Sequence, residues 1–172
     1  MLISAVVGAI NSLLMLSLFP VVTTLALVAP PLYALVAAAF SILPYTMRRL
    51  WGAPFSATLV AFISGLLSSA FSSIGFLAMI PIALGAVIFD LVAPRATHPG
   101  APGAEWRWLV ASFASGASLF AISLTVFSAD HMTPVVVIAT AVARLGGQAA
   151  AILVAGSLAR SLRRAGIVLD RL

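Results

Sequence analysis

The chain has 172 residues, of which 63% are hydrophobic and only 8% charged, and its mean hydropathy is +1.21. A soluble domain carries about 25% charged residues, and a domain of this size still exposes too much surface to hide so much hydrocarbon. A soluble enzyme, a nucleic-acid reader and a disordered tail are thereby excluded, and the composition reads as an integral membrane protein.

The net charge is +5, and all nine basic residues are Arg. In a membrane chain these are expected to face anionic lipid head groups rather than nucleic acid. Cysteine is absent, so no disulfide, thiolate nucleophile or Cys-ligated metal is available. The apolar run follows Met1 directly without a basic segment, so a cleaved signal peptide is not expected. A spanning helix needs about 20 apolar residues. The length therefore accommodates six short-looped spans in a single domain over 1–172, an all-α six-transmembrane-helix bundle.

The first apolar stretch runs from Leu2 to Leu18 and is expected to stop at Phe19-Pro20. Residues 20–30 are apolar but too few to span, so they read either as a lid on the outer face or as the start of a long kinked second helix. The second stretch, Thr24 to Met47, contains Pro30, Pro31 and Pro44 and ends at Arg48-Arg49. The third covers Phe55 to Ala70 and the fourth Ile74 to Val92. A Pro- and Gly-rich loop with His98 and Glu105 follows, then a fifth span from Trp108 to Phe127. The sixth, Pro134 to Leu158, leads into Arg160, Arg163 and Arg164.

Arginine placement sets the expected topology. Arg48, Arg49, Arg95, Arg107, Arg160, Arg163, Arg164 and Arg171 all fall at the second connection, the fourth connection or the C-terminal tail. The positive-inside rule then puts both termini in the cytoplasm, with Trp51, Trp106 and Trp108 as an interfacial belt on the same side. The result is a multi-pass protein of the cell membrane.

Ionisable groups inside a membrane are costly and are functional candidates by default. Two stand out, Arg144 in the middle of the sixth span and Asp90 near the cytoplasmic end of the fourth. Arg144 either reaches toward a substrate or pairs with Asp90 or helix-end carbonyls to hold helices together. Thr140 and Gln148, four residues to either side of Arg144, share its helix face. The three make a polar stripe that must turn inward, and they are the primary candidates for a binding site. Small residues at four-residue spacing (Ser4, Gly8 and Ser12, with Ala5 and Ala9 alongside) mark a close-packing face on the first helix, either within the chain or toward a partner.

Enzyme signatures are missing. There is no H-E-x-x-H, no paired carboxylates and no Walker A loop. Ala114-Ser115-Gly116 lacks the preceding Gly of intramembrane serine proteases. Ala143-Arg144 lacks the flanking aspartates of phosphatidyltransferases. No catalytic residue, metal or cofactor is therefore expected. Two readings stay open at this point: a non-catalytic assembly or scaffold subunit, and a membrane enzyme without a visible nucleophile–base pair.

Six short spans, Pro31-Leu32-Tyr33 and Tyr45-Thr46-Met47-Arg48 bounding the second helix, and Leu84-Gly85-Ala86 in the fourth form a distinctive layout. Ala143-Arg144-Leu145 with Gly147, and Arg160 through Gly166-Ile167-Val168, complete it. This layout resembles the substrate-binding S component of an energy-coupling factor (ECF) vitamin transporter, within it the hydroxymethylpyrimidine/thiamine family. The resemblance implies capture of a vitamin or vitamin precursor under the first and third connections. The loaded subunit would then tilt against a transmembrane T component driven by two ATPase subunits. It further implies pocket residues Tyr33, Phe76 and Met79 for stacking and Asn11, Ser123, Thr140, Arg144 and Gln148 for polar contacts. Ser4, Ala5, Gly8, Ala9 and Ser12 would form a smooth partner face. One departure matters: thiamine-type relatives carry carboxylates in the third or fourth helix, whereas the stretch from Phe55-Ser56-Ala57-Thr58 to Ser64-Gly65 is neutral. A buried thiazolium would be expensive there, so a neutral pyrimidine, or an anion meeting Arg144, fits the residues better.

Overall fold

The computed structural model describes residues 2–71, 75–94, 105–125 and 133–167. Proline placement explains where most of its helices begin. Helix α2 (Pro30–Ala37) and helix α7 (Pro134–Arg164) open on proline, and Pro44 and Pro81 lie in the first turns of α3 (Ile42–Trp51) and α5 (Met79–Val92). In a first turn the missing N–H costs nothing, and the fixed φ suits a helix start. Helices α1 (Leu2–Val28), α4 (Ser56–Ser69) and α6 (Glu105–Leu124) complete the set. Short 3-10 segments precede α3 (Ala38–Ser41) and α5 (Gly75–Ala78).

The expected stop at Pro20 does not occur. Helix α1 runs through it to Val28, because one proline removes one i→i−4 bond while the rest of the ladder persists. Residues 20–28 are thus the last turns of the first helix, neither a lid nor the start of the second. The true break is at Ala29, whose extended φ of −146° separates α1 from α2. The sixth span also continues to Arg164. Its 31 residues reach about 46 Å, well beyond a hydrocarbon core of about 30 Å.

Among the described residues, four segments are long and apolar enough to cross a membrane: Leu2–Val28, Pro30–Trp51, Glu105–Leu124 and Pro134–Arg164. Ser56–Ser69 and Met79–Val92 are apolar but shorter. Helix α1 packs on α4 and α2, α4 on α5 and α3, α5 on α6, and α6 on α7. Helix α7 in turn packs on α2 and α3. The result is a closed ring of helices with the broken second segment between α1 and α7.

Polarity across this ring is inverted relative to a soluble protein. Leu2, Val6, Ile10 and Leu13 on α1 and Val135, Ile138 and Val142 on α7 face outward, whereas Ser4, Asn11, Thr140, Arg144 and Gln148 are buried. Apolar exteriors of this extent are liabilities in water and are what a lipid solvent selects. One core cluster centres on Tyr45, stacked on Phe89 with ring centroids 3.8 Å apart and lined by Ala57, Ala111 and Ile152. A second gathers Met15, Val22 and Phe40, with Tyr33 and Ile82 packed against it.

The small-residue stripe on α1 serves this internal packing. Ser4, Gly8 and Ser12 are buried, and a Cβ on Gly8 would lie 2.7 Å from Ile63 Cγ2 of α4. Gly8 therefore packs against α4, with Ser4 and Ser12 buried on the same face of α1. Ala5 is exposed and Ala9 half-buried.

Candidate functional site

Arg144 lies ten residues past Pro134, about 15 Å along α7, and is only 3% exposed. Its guanidinium carbon sits 5.1 Å from the centroid of the Tyr33 ring, within cation–π range. Its Nε is buried without a hydrogen-bond partner. The two ion pairs among the described residues, Arg48–Asp90 and Arg49–Glu105, do not include it.

The approach of Tyr33 follows from the backbone. Pro30 and Pro31 start α2 just after Ala29, and the Tyr33 N–H donates to the Ala29 carbonyl at 3.0 Å. Gly147 then lets α2 lie directly on α7. A side chain there would put its Cβ 2.9 Å from Ala38 Cβ and 3.4 Å from Leu35 Cα.

Thr140 and Gln148 are fully buried on the same face, as the stripe predicts. Their hydrogen bonds are already spent. Thr140 Oγ1 donates to the Val136 carbonyl at 2.7 Å. Gln148 Oε1 accepts from the Tyr45 hydroxyl at 2.7 Å, and its Nε2 donates to Ser41 Oγ at 3.1 Å. Gln148 therefore braces α7 against the 3-10 break in the second segment.

Asn11 reaches the same break from α1. Its amide nitrogen donates to the Phe40 carbonyl at 3.4 Å and to Ser64 Oγ at 3.1 Å, leaving Oδ1 buried without a donor. Two candidates from different helices, Asn11 and Gln148, thus meet the adjacent residues Phe40 and Ser41. The other candidates are not brought to Arg144 by any recorded contact. Ser123 is buried but donates to the Phe120 carbonyl of its own helix at 2.7 Å. Met79 covers Gly65 of α4, and Phe76 is exposed. His98 lies outside the described residues.

Asp90 does not pair with Arg144. Its Oδ1 lies 3.0 Å from Arg48 Nε, and its Oδ2 accepts from the Thr58 N–H at 2.7 Å and the Thr58 hydroxyl at 2.8 Å. This carboxylate ties α5 to the first turn of α4, where a negative charge also suits the helix dipole. Arg48 additionally donates to the Gly52 carbonyl at 2.5 Å and the Pro94 carbonyl at 3.3 Å. It is thus a buried strut, not a head-group contact. Arg49 plays the same role toward α6 and α7. It pairs with Glu105 at 2.6 Å, lies 5.2 Å over the Trp108 ring, and receives Arg163 at its carbonyl oxygen. The sequence reading missed Arg48 as an interior residue. The available signal was that Arg48 and Asp90 both close spans on the arginine-rich side.

Around Arg144 the chain therefore offers a cation rich in N–H donors beside an aromatic ring, with its polar neighbours on α7 already engaged. Chemically, such a guanidinium has N–H donors and no acceptor. Among the described residues no group of His, Cys, Asp or Glu could hold a metal. No protein-family model, curated protein or solved structure matches the chain.

Proposed function

We propose that this chain is the substrate-binding S component of an ECF-type vitamin importer, a six-span protein of the cell membrane with both termini in the cytoplasm. Arg144 carries the reading: a guanidinium about 15 Å into α7, 3% exposed, with no carboxylate partner among the described residues. A buried charge without a counter-group is strongly unfavourable, so its retention is best explained by a ligand that completes it. The functional half of the two readings of Arg144 gains support because Asp90 is committed to Arg48.

In this mechanism a vitamin or vitamin precursor enters from the arginine-poor side and docks between α2 and α7. Tyr33 offers a stacking surface there, and Arg144 orients acceptor atoms on the ligand. Gln148, Tyr45 and Ser41 form the rigid floor. Delivery follows when the loaded subunit tilts against a T component energised by two ATPase subunits.

The test is ligand-dependent thermal stabilisation of the purified protein against a panel of vitamins and their precursors. One compound should raise the melting temperature of the wild type and not that of Arg144→Ala. A compound that stabilises both equally would remove Arg144 from the site, and a panel without any stabilising compound would remove the binding function.

A further inference from the structure

Resting on the reading of Arg144 as a ligand contact, we infer that the ligand is a soluble anion whose carboxylate or phosphate docks on that guanidinium. Two independent features of the site lead there.

The first is charge. Among the described residues the buried carboxylate is Asp90, and it is held by Arg48 and Thr58. Arg49 has Glu105. Arg144 alone among these inward-facing cations has an aromatic face and no anion. A neutral ligand would leave that charge uncompensated in a low-dielectric interior, and a cation would add to it, whereas an anion neutralises the site as it binds.

The second is hydrogen-bond inventory. Arginine has five N–H donors and no acceptor, and Nε, buried, is unengaged. Thr140 donates to Val136, while Gln148 accepts from Tyr45 and donates to Ser41. The unengaged N–H donors of the stripe therefore centre on Arg144, while the Thr140 hydroxyl proton and both ends of the Gln148 amide are already committed. A planar two-oxygen acceptor matches the guanidinium fork, and Tyr33 beside it suits a flat ring attached to the acid.

The experiment uses the full chain in phosphatidylcholine nanodiscs. It compares matched pairs of ring compounds, each aromatic carboxylate with its amide and each phosphate monoester with its alcohol, by thermal stabilisation. At least one anion should stabilise the wild type with an affinity tenfold or more above its neutral counterpart. Arg144→Gln should abolish that preference and Arg144→Lys restore part of it. Equal stabilisation by a charged compound and its neutral partner in the wild type needs no variant and overturns the anion while leaving the binding function intact. Absence of stabilisation by either kind overturns both. Stabilisation reproduced by phosphatidylglycerol in the discs, without added compound, would make the anion a lipid head group and overturn a soluble ligand.

Discussion

Arg48 and Asp90, from α3 and α5, meet at 3.0 Å with both side chains 1% exposed, and the second carboxylate oxygen caps the first turn of α4 through Thr58. Three helix ends are thus fixed to one another by one carboxylate, at the end of the bundle where most arginines lie. Breaking such a pair by removing one partner strands the other, at a cost of about 3–5 kcal/mol. Asp90→Ala should accordingly lower the unfolding free energy by that amount, measured by denaturant titration in detergent. Arg48→Met combined with Asp90→Leu should recover most of the loss, because no charge is then left without a partner.

Gly8 and Ala5, three residues apart on α1, should respond in opposite ways. A Cβ on Gly8 meets Ile63 at 2.7 Å, so Gly8→Val should cost about 1–3 kcal/mol through overpacking. Ala5 is exposed, and Ala5→Leu should leave the melting temperature within a degree or two. If Ala5 lies on a surface that meets another subunit, the same variant should weaken co-purification of that subunit without affecting the isolated chain.

Gln148 separates bracing from binding. Gln148→Leu removes the acceptor of the buried Tyr45 hydroxyl and should destabilise the protein by about 1–3 kcal/mol. Ligand affinity, measured by isothermal titration once a ligand is in hand, should change less than tenfold. Arg144→Gln should show the reverse pattern, with a small stability change and a large affinity loss.

Orientation can be read directly because the chain has no native cysteine. Ser161→Cys, exposed near the end of α7, should react with an impermeant maleimide only after permeabilisation. Thr125→Cys, exposed just past α6, should react in intact cells. The opposite labelling would invert the topology.

Much of this was legible in the sequence for a physical reason. Hydrophobic runs and arginine clusters report the solvent around each segment, so the spans and the inward turn of Thr140, Arg144 and Gln148 follow from composition and helical spacing. What failed was local grammar. Pro20 reads as a stop in water, yet α1 absorbs it and ends only at Val28. Pairing was hidden as well. Whether Asp90 meets Arg144 or Arg48 depends on which helices adjoin, and that is settled by the ring order of the bundle rather than by any spacing along the chain. Gln148 likewise looked free until Tyr45 and Ser41, more than 100 residues away, came to meet it.

The central claim is that Arg144 is held without a counter-charge from the described residues. The most direct measurement compares the ligand-free unfolding free energy of wild type and Arg144→Met in the same nanodiscs. With the uncompensated charge removed, Arg144→Met should be at least as stable as the wild type and unresponsive to every compound that stabilises it. A loss of about 3–5 kcal/mol, the signature of a broken buried pair, would show that Arg144 is a structural strut and contradict the claim.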